Sequence, residues 1–131
     1  MITAFATEEP FNVAELYSTF LEHETDATGT IVMHHGQVKR PGKHIPDFSS
    51  VLLKPLVQDV NAALSTLAEQ AKRRFKLHQI VVVHRLGVIN ARDSVLLVIV
   101  SGKTRDRCFS ACSWVVDTIK EEEFISLIEQ E

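Results

Sequence analysis

Two short apolar runs constrain this chain more than anything else in it: Ile80-Val81-Val82-Val83 and Val95-Leu96-Leu97-Val98-Ile99-Val100. Both are rich in β-branched residues and too short to be independent helices, so both read as strands of a central sheet. His84-Arg85-Leu86-Gly87 leaves the first run, and the stretch that joins the two predicts a hairpin. After the second run, Ser101-Gly102-Lys103-Thr104 makes a turn, and an amphipathic segment from Arg105 to Lys120 reads as a helix.

The rest of the pattern fits around that unit. Residues 2–6 suit a short edge strand, and Asn12 with Glu15 three residues on is a helix start, followed by Val13, Leu16, Tyr17 and Phe20 on one face. Thr30 through Val38 reads as a strand, and Val51-Leu52-Leu53 as another. Leu56, Val57, Val60, Leu64, Leu67, Ala71 and Phe75 repeat at helical spacing. The prediction is therefore an α+β domain with a mixed, largely antiparallel sheet. Strands are expected near 30–38, 51–54, 79–84 and 94–101, and helices near 12–23, 56–75 and 104–120. Between the first two of these strands, residues 39–50 hold two prolines, a glycine and several bases, which predicts a mobile loop.

At 131 residues, with 45% apolar and 24% charged residues, the chain reads as one domain, 1–131, able to bury a core. Its net charge of −3 gives no general attraction to nucleic acid or to an anionic membrane. That charge is uneven, because Glu121, Glu122, Glu123, Glu129 and Glu131 make 121–131 an acidic C-terminal segment. No apolar run is long enough for a membrane span, no signal peptide is evident, and two cysteines make no disulfide scaffold. A cytoplasmic protein is expected.

Several residues suit chemistry, and each has a plainer reading. Gly102-Lys103-Thr104 resembles the tail of a phosphate-binding loop, but the pattern needs a glycine where Leu97 stands, so a nucleotide-binding loop is rejected. Free N–H groups at the helix start, beside Lys103 and Arg105, can still hold an anion. Thr104 acting as a simple helix cap is equally consistent. His84 and Arg85 read as a hydrogen-bonded pair at a strand end. His34 and His35 alternate across a strand, so one of them at most faces any given site. Cys108 and Cys112 are spaced to reach one metal, but two small core residues are the better reading, and neither a metal nor a cofactor is expected. Lys120 precedes the acidic run at a helix C-terminus, where the dipole and Glu121 to Glu123 favour its protonated form.

In combination the residues resemble the catalytic, large subunit of molybdopterin synthase. The likeness runs along nearly the whole chain. It is carried by Glu9-Pro10-Phe11, by Gly29-Thr30-Ile31-Val32 through Gly36-Gln37-Val38-Lys39, by Val83-His84-Arg85-Leu86-Gly87, and by Ser101 through Lys120 with Arg105, Phe109 and Ala111. The resemblance implies an α+β subunit of the α/β-hammerhead type that forms a homodimer. Each subunit would bind one ubiquitin-like small subunit, giving a heterotetramer. Two sulfurs from the small subunit's thiocarboxylated tail would pass to a pterin, cyclic pyranopterin monophosphate, yielding molybdopterin for the molybdenum cofactor. The family's essential helix-end lysine falls on Lys120. Its basic residue after the first long strand, usually arginine, falls on Lys39, and the arginine opening the last helix falls on Arg105. Lys103 and Thr104 join Arg105 as expected substrate contacts, with His34, Arg40, Lys43, His84 and Arg85 as supporting candidates. The chain departs from the family at Thr104, where histidine is usual, and at Lys54 and Leu56, where glutamate and tyrosine are. Leu127 stands where the family has a second active-site lysine. A degenerate member that binds the small subunit or an anion without catalysis is the alternative expectation.

Overall fold

The structure is a computed structural model that describes residues 1–121 and 124–131. Two sheets organise the described residues. The larger has the order β1-β4-β6-β2, with β1 at Ile2–Thr7, β2 at Thr30–Gln37, β4 at Gln79–Arg85 and β6 at Ser94–Gly102. The smaller has the order β5-β3-β7, with β3 at Ser50–Pro55, β5 at Gly87–Ile89 and β7 at Ile125–Gln130. The helices are α1 (Val13–Glu22), α2 (Val60–Arg74) and α3 (Arg105–Glu121). The β1–β4 pair is parallel and the others are antiparallel, so the expected mixed, largely antiparallel α+β architecture holds.

The two apolar runs do form the middle of the large sheet. Every residue of β4 is buried, as are residues 96–102 of β6. Full burial explains why neither run alternates with polar residues: both sheet faces are covered. Ile80, Val82, Val98 and Val100 pack on one face against Leu64 and Ala68 of α2 and Cys108 and Val115 of α3. Val81, Val83, Leu97 and Ile99 pack on the other against Phe20 of α1.

Helix starts follow their caps. The Asn12 side chain accepts the Glu15 N–H at 3.0 Å, as the sequence suggested. Helix α2 starts at Val60, later than the expected residue 56, because the Asp59 side chain accepts the Ala62 N–H at 3.0 Å and caps it there. The apolar pair Leu56-Val57 imitated helical spacing, but the Leu56 N–H is bound to the Phe124 carbonyl at 2.8 Å and continues the strand pairing instead.

The hairpin needs a correction too. Strands β4 and β6 pair antiparallel, but their connection crosses to the small sheet as β5. Gly87 sits at φ +89°, a conformation that an L side chain rarely adopts, and it lets the chain leave one sheet for the other. The acidic C-terminal segment holds a strand that was not anticipated: β7 pairs along all of β3, from Ser50↔Gln130 to Pro55↔Ile125. Glu122 and Glu123 lie outside the described residues. The 39–50 segment carries no regular element before Ser50, where β3 begins, its Arg40–Pro41 peptide is cis, and Phe48 anchors it in a third core with Val38, Val51, Leu53 and Ile89.

Candidate functional site

Topology decides which candidates meet. Strand β2 runs antiparallel to β6, and α3 turns back over the sheet after β6, so α3 and β2 point the same way. The Cys108 thiol reaches the Thr30 carbonyl at 3.6 Å near the start of both elements. Their ends therefore also coincide. Lys120, in the last turn of α3, comes close enough to His34 for its charge to act on the imidazole. Lys39 lies two residues beyond the end of β2, after the buried Val38, and is exposed at that same end.

His34 faces the α3 side because Val32, two residues earlier, packs against the core beneath α2 and α3. Gly36 leaves room for the ring, since a Cβ there would come within 3.2 Å of its Nε2. Burial first, then the charges of Lys120 and His35, hold the His34 pKa below the ordinary histidine value of 6.5. The imidazole is thus neutral at pH 7 beside an ammonium, a pair that offers one proton acceptor and one cation to an incoming anion.

Lys103, Thr104 and Arg105 are exposed at the opposite end of α3. Arg105 and Lys120 stand about 22 Å apart along the axis, at roughly 1.5 Å per residue. One chain therefore does not join the expected substrate contacts into one site. The Thr104 carbonyl accepts the Cys108 N–H at 3.3 Å, and Gly29 N–H binds the Gly102 carbonyl at 2.9 Å, which fixes the turn.

The supporting candidates divide. His84 is buried, its Nδ1 lies 2.8 Å from the Arg85 carbonyl, and burial pushes its pKa down, so its place is structural. Arg40 is engaged inside its own loop: Nη2 donates to the Phe48 carbonyl at 2.7 Å and the guanidinium lies 4.9 Å from that ring's centre. The Lys43 side chain is exposed, while its backbone N–H donates to Glu129 at 2.6 Å. Arg85 is buried on the α1 side of the sheet, away from Lys120. Cys108 and Cys112 are buried free thiols, and burial raises both pKa values, that of Cys112 to about 11. No group of three or more His, Cys, Asp or Glu able to hold a metal is found among the described residues.

Two residues escaped the sequence reading. The Glu129 carboxylate accepts backbone N–H groups from Lys43, His44 and Ile45 at 2.6 to 2.8 Å, which ties the 39–50 segment to β7 and holds the carboxyl below its usual range. Its signal in the sequence was weak, because Ile125-Ser126-Leu127-Ile128 is a short apolar stretch without strand alternation and is followed by acids. The other residue is Arg92, at φ +77° in the turn before β6.

With this geometry in view, the sequence matches the model of the family described as MoaE protein over residues 6–122. The chain belongs to the MoaE family. The MoaE relatives include the molybdopterin synthase catalytic subunit of Pyrococcus abyssi, 26% identical over 114 residues that span 86% of this chain and 73% of that protein. The Escherichia coli subunit of the same name is 27% identical over 113 residues, with the same two coverages. Among solved structures, a molybdopterin biosynthesis MoaE protein from Burkholderia ambifaria superposes with a TM-score of 0.78 at 18% identity, covering 98% of this chain and 90% of that one. Molybdopterin synthase from Staphylococcus aureus gives 0.77 at 20% identity, covering 90% and 83%. A complex of subunits 1 and 2 of molybdopterin-converting factor from Helicobacter pylori gives 0.68 at 15% identity, covering 91% and 77%. These likenesses establish the MoaE fold for this chain, and the family membership sets it among the proteins of molybdenum cofactor biosynthesis. No helix among the described residues is long and apolar enough to cross a membrane.

Proposed function

We propose that this chain is the catalytic subunit of a cytoplasmic molybdopterin synthase. It takes sulfur from the thiocarboxylated tail of a ubiquitin-like small subunit and delivers it, in two rounds, to cyclic pyranopterin monophosphate. The observation that carries the reading is Lys120 beside a neutral His34 at the end of α3, with Lys39 exposed at the same end. In this role the Lys120 ammonium binds the oxygen of the thiocarboxyl group and stabilises the charge that grows there on attack. Neutral His34 is a proton acceptor within the same cluster. Lys39 offers the substrate phosphate a point charge, with less directional contact than an arginine would give.

Lys103, Thr104 and Arg105 form a second anion-binding group at the far end of the helix. In this reading they complete the site of another copy, so that a homodimer carries two composite sites and takes two small subunits. The Helicobacter pylori relative, solved as a complex of two subunits of molybdopterin-converting factor, supports such a partner.

The test is conversion of the pterin precursor by this chain with a thiocarboxylated small subunit. Lys120→Ala is expected to abolish turnover without unfolding the protein, and full turnover by that variant would exclude the role. Lys120→Ala and Arg105→Ala are expected to be inactive alone and to regain activity when mixed and allowed to exchange subunits. A mixture that stays inactive, despite proven exchange, would rule out the composite site.

One observation favours a second reading, a binding module without turnover. Leu127 is a half-exposed strand residue opposite Leu53, so the position of the family's second lysine carries no charge. Calorimetric binding of both small subunit and precursor, with zero turnover, would select it.

A further inference from the structure

An open cavity of about 310 Å³ lies at the end of the large sheet, lined by Pro10, Phe11, Arg85, Arg92, Asp93 and Ser94. It sits on the opposite face of the sheet from His34 and Lys120. In β4, Val81 and Val83 face α1, and Arg85 continues their alternation. In β2, Ile31 faces α1 and His35 shares its side, while His34 faces α3.

Two features of the cavity lack a structural explanation. Arg85 is 9% exposed, its Nη2 donates to the Glu8 carbonyl at 3.2 Å, and its Nε is buried with no hydrogen-bond partner among the described residues. A buried guanidinium N–H without an acceptor is costly, and native structures rarely leave one. The second feature is Arg92. The Asp93 N–H bonds the Asn90 carbonyl at 3.1 Å, closing a four-residue turn whose third position is Arg92 at φ +77°. Glycine is the residue such a position favours. A long cation kept in that conformation, at the rim of a cavity that already holds a buried arginine, indicates that its charge is used.

We infer that this cavity is a second anion site, which takes the phosphate group of a small phosphomonoester. Two guanidiniums supply forked donors and a double positive charge matched to a phosphate dianion. The Ser94 hydroxyl, 2.7 Å from His35 Nε2, adds a neutral donor. Phe11 and Pro10 give an apolar wall for the body of the ligand. Asp93 opposes the anion, but its Oδ2 is already bonded to the Asn90 N–H at 2.8 Å. The site does not depend on the sulfur-transfer reading, because none of the residues proposed to hold the pterin lines it.

Nuclear magnetic resonance of the labelled full chain tests this directly, with inorganic phosphate, phenyl phosphate and acetate as probes. Phosphate is expected to shift the Arg85 Nε–H signal and the amides of residues 92–94 saturably. Phenyl phosphate should bind more tightly, through Phe11, and acetate more weakly. Arg92→Gly keeps the turn and should weaken phosphate at these signals about tenfold or more, the effect of losing one charge-assisted contact. Arg85→Lys should weaken it too, and Lys120→Ala should not. Shifts confined to residues 39, 103–105 and 120 would overturn the site, as would an Arg92→Gly protein that binds phosphate unchanged, or no response at millimolar phosphate. Acetate binding as tightly as phosphate would overturn the assignment of the ligand.

Discussion

His34 and His84 both hold pKa values below 6.5, the first mainly through partial burial with help from Lys120, the second through deep burial. In each case the unfolded chain binds a proton more readily than the folded one. Their stabilising effect is therefore complete above about pH 6.5 and is lost as pH falls through the folded values. Urea midpoints are expected to be flat with respect to these groups from pH 7 to 8 and to fall toward pH 5, and His84→Gln should shallow that fall. A midpoint that rises with acid would contradict the burial. At this scale Lys120 and Lys39 were named through the family resemblance, and the alternation of His34 and His35 was legible in the sequence. What decided between His34 and His35 was not, because it depends on which face α3 covers. Arg92 was invisible for a different reason. Nothing in Asn90-Ala91-Arg92-Asp93 announces a positive φ when the usual glycine is absent.

Elements built on long periodic patterns were the readable ones. Helix α2 shows this, since Leu64, Leu67, Ala68 and Ala71 lie within one buried stripe. Leu64 is fully buried beneath the large sheet, and Leu64→Ala should cost about 2–5 kcal/mol in denaturant unfolding, the usual range for emptying such a site. A loss near zero would mean that the stripe is not packed as described. Strands β5 and β7 were not readable. The first is three residues long, and the second lacks strand alternation and lies among acids, where composition suggested a solvated end. The Glu129 carboxylate binds three successive N–H groups and so couples β7 to the 39–50 segment. Glu129→Ala is therefore expected to speed hydrogen exchange at the amides of residues 43–45 while leaving the β4–β6 ladder protected. Unchanged exchange at those three amides would show that the contact does not hold the segment.

For the whole molecule, the two cationic groups at opposite ends of α3 are the dominant fact. In the proposed reading each group completes the site of another copy, so dilution below the dimer's dissociation constant should remove turnover with the fold still intact.

The register of the sheets also has a consequence in time. Ile2 pairs with Ile80 and Leu53 with Leu127, each contact spanning more than half of the chain, whereas β4 and β6 are near neighbours joined by one short excursion. Closing large loops is slow, because their entropy is lost before the contact rewards it. Folding should begin with β4, β6 and α3, with the outer strands arriving last. The same order run backwards describes how the native protein breathes. Strand β7, which anchors the segment just beyond Lys39, is then among the first to detach, and a region next to the proposed catalytic end can loosen while the central sheet stays shut.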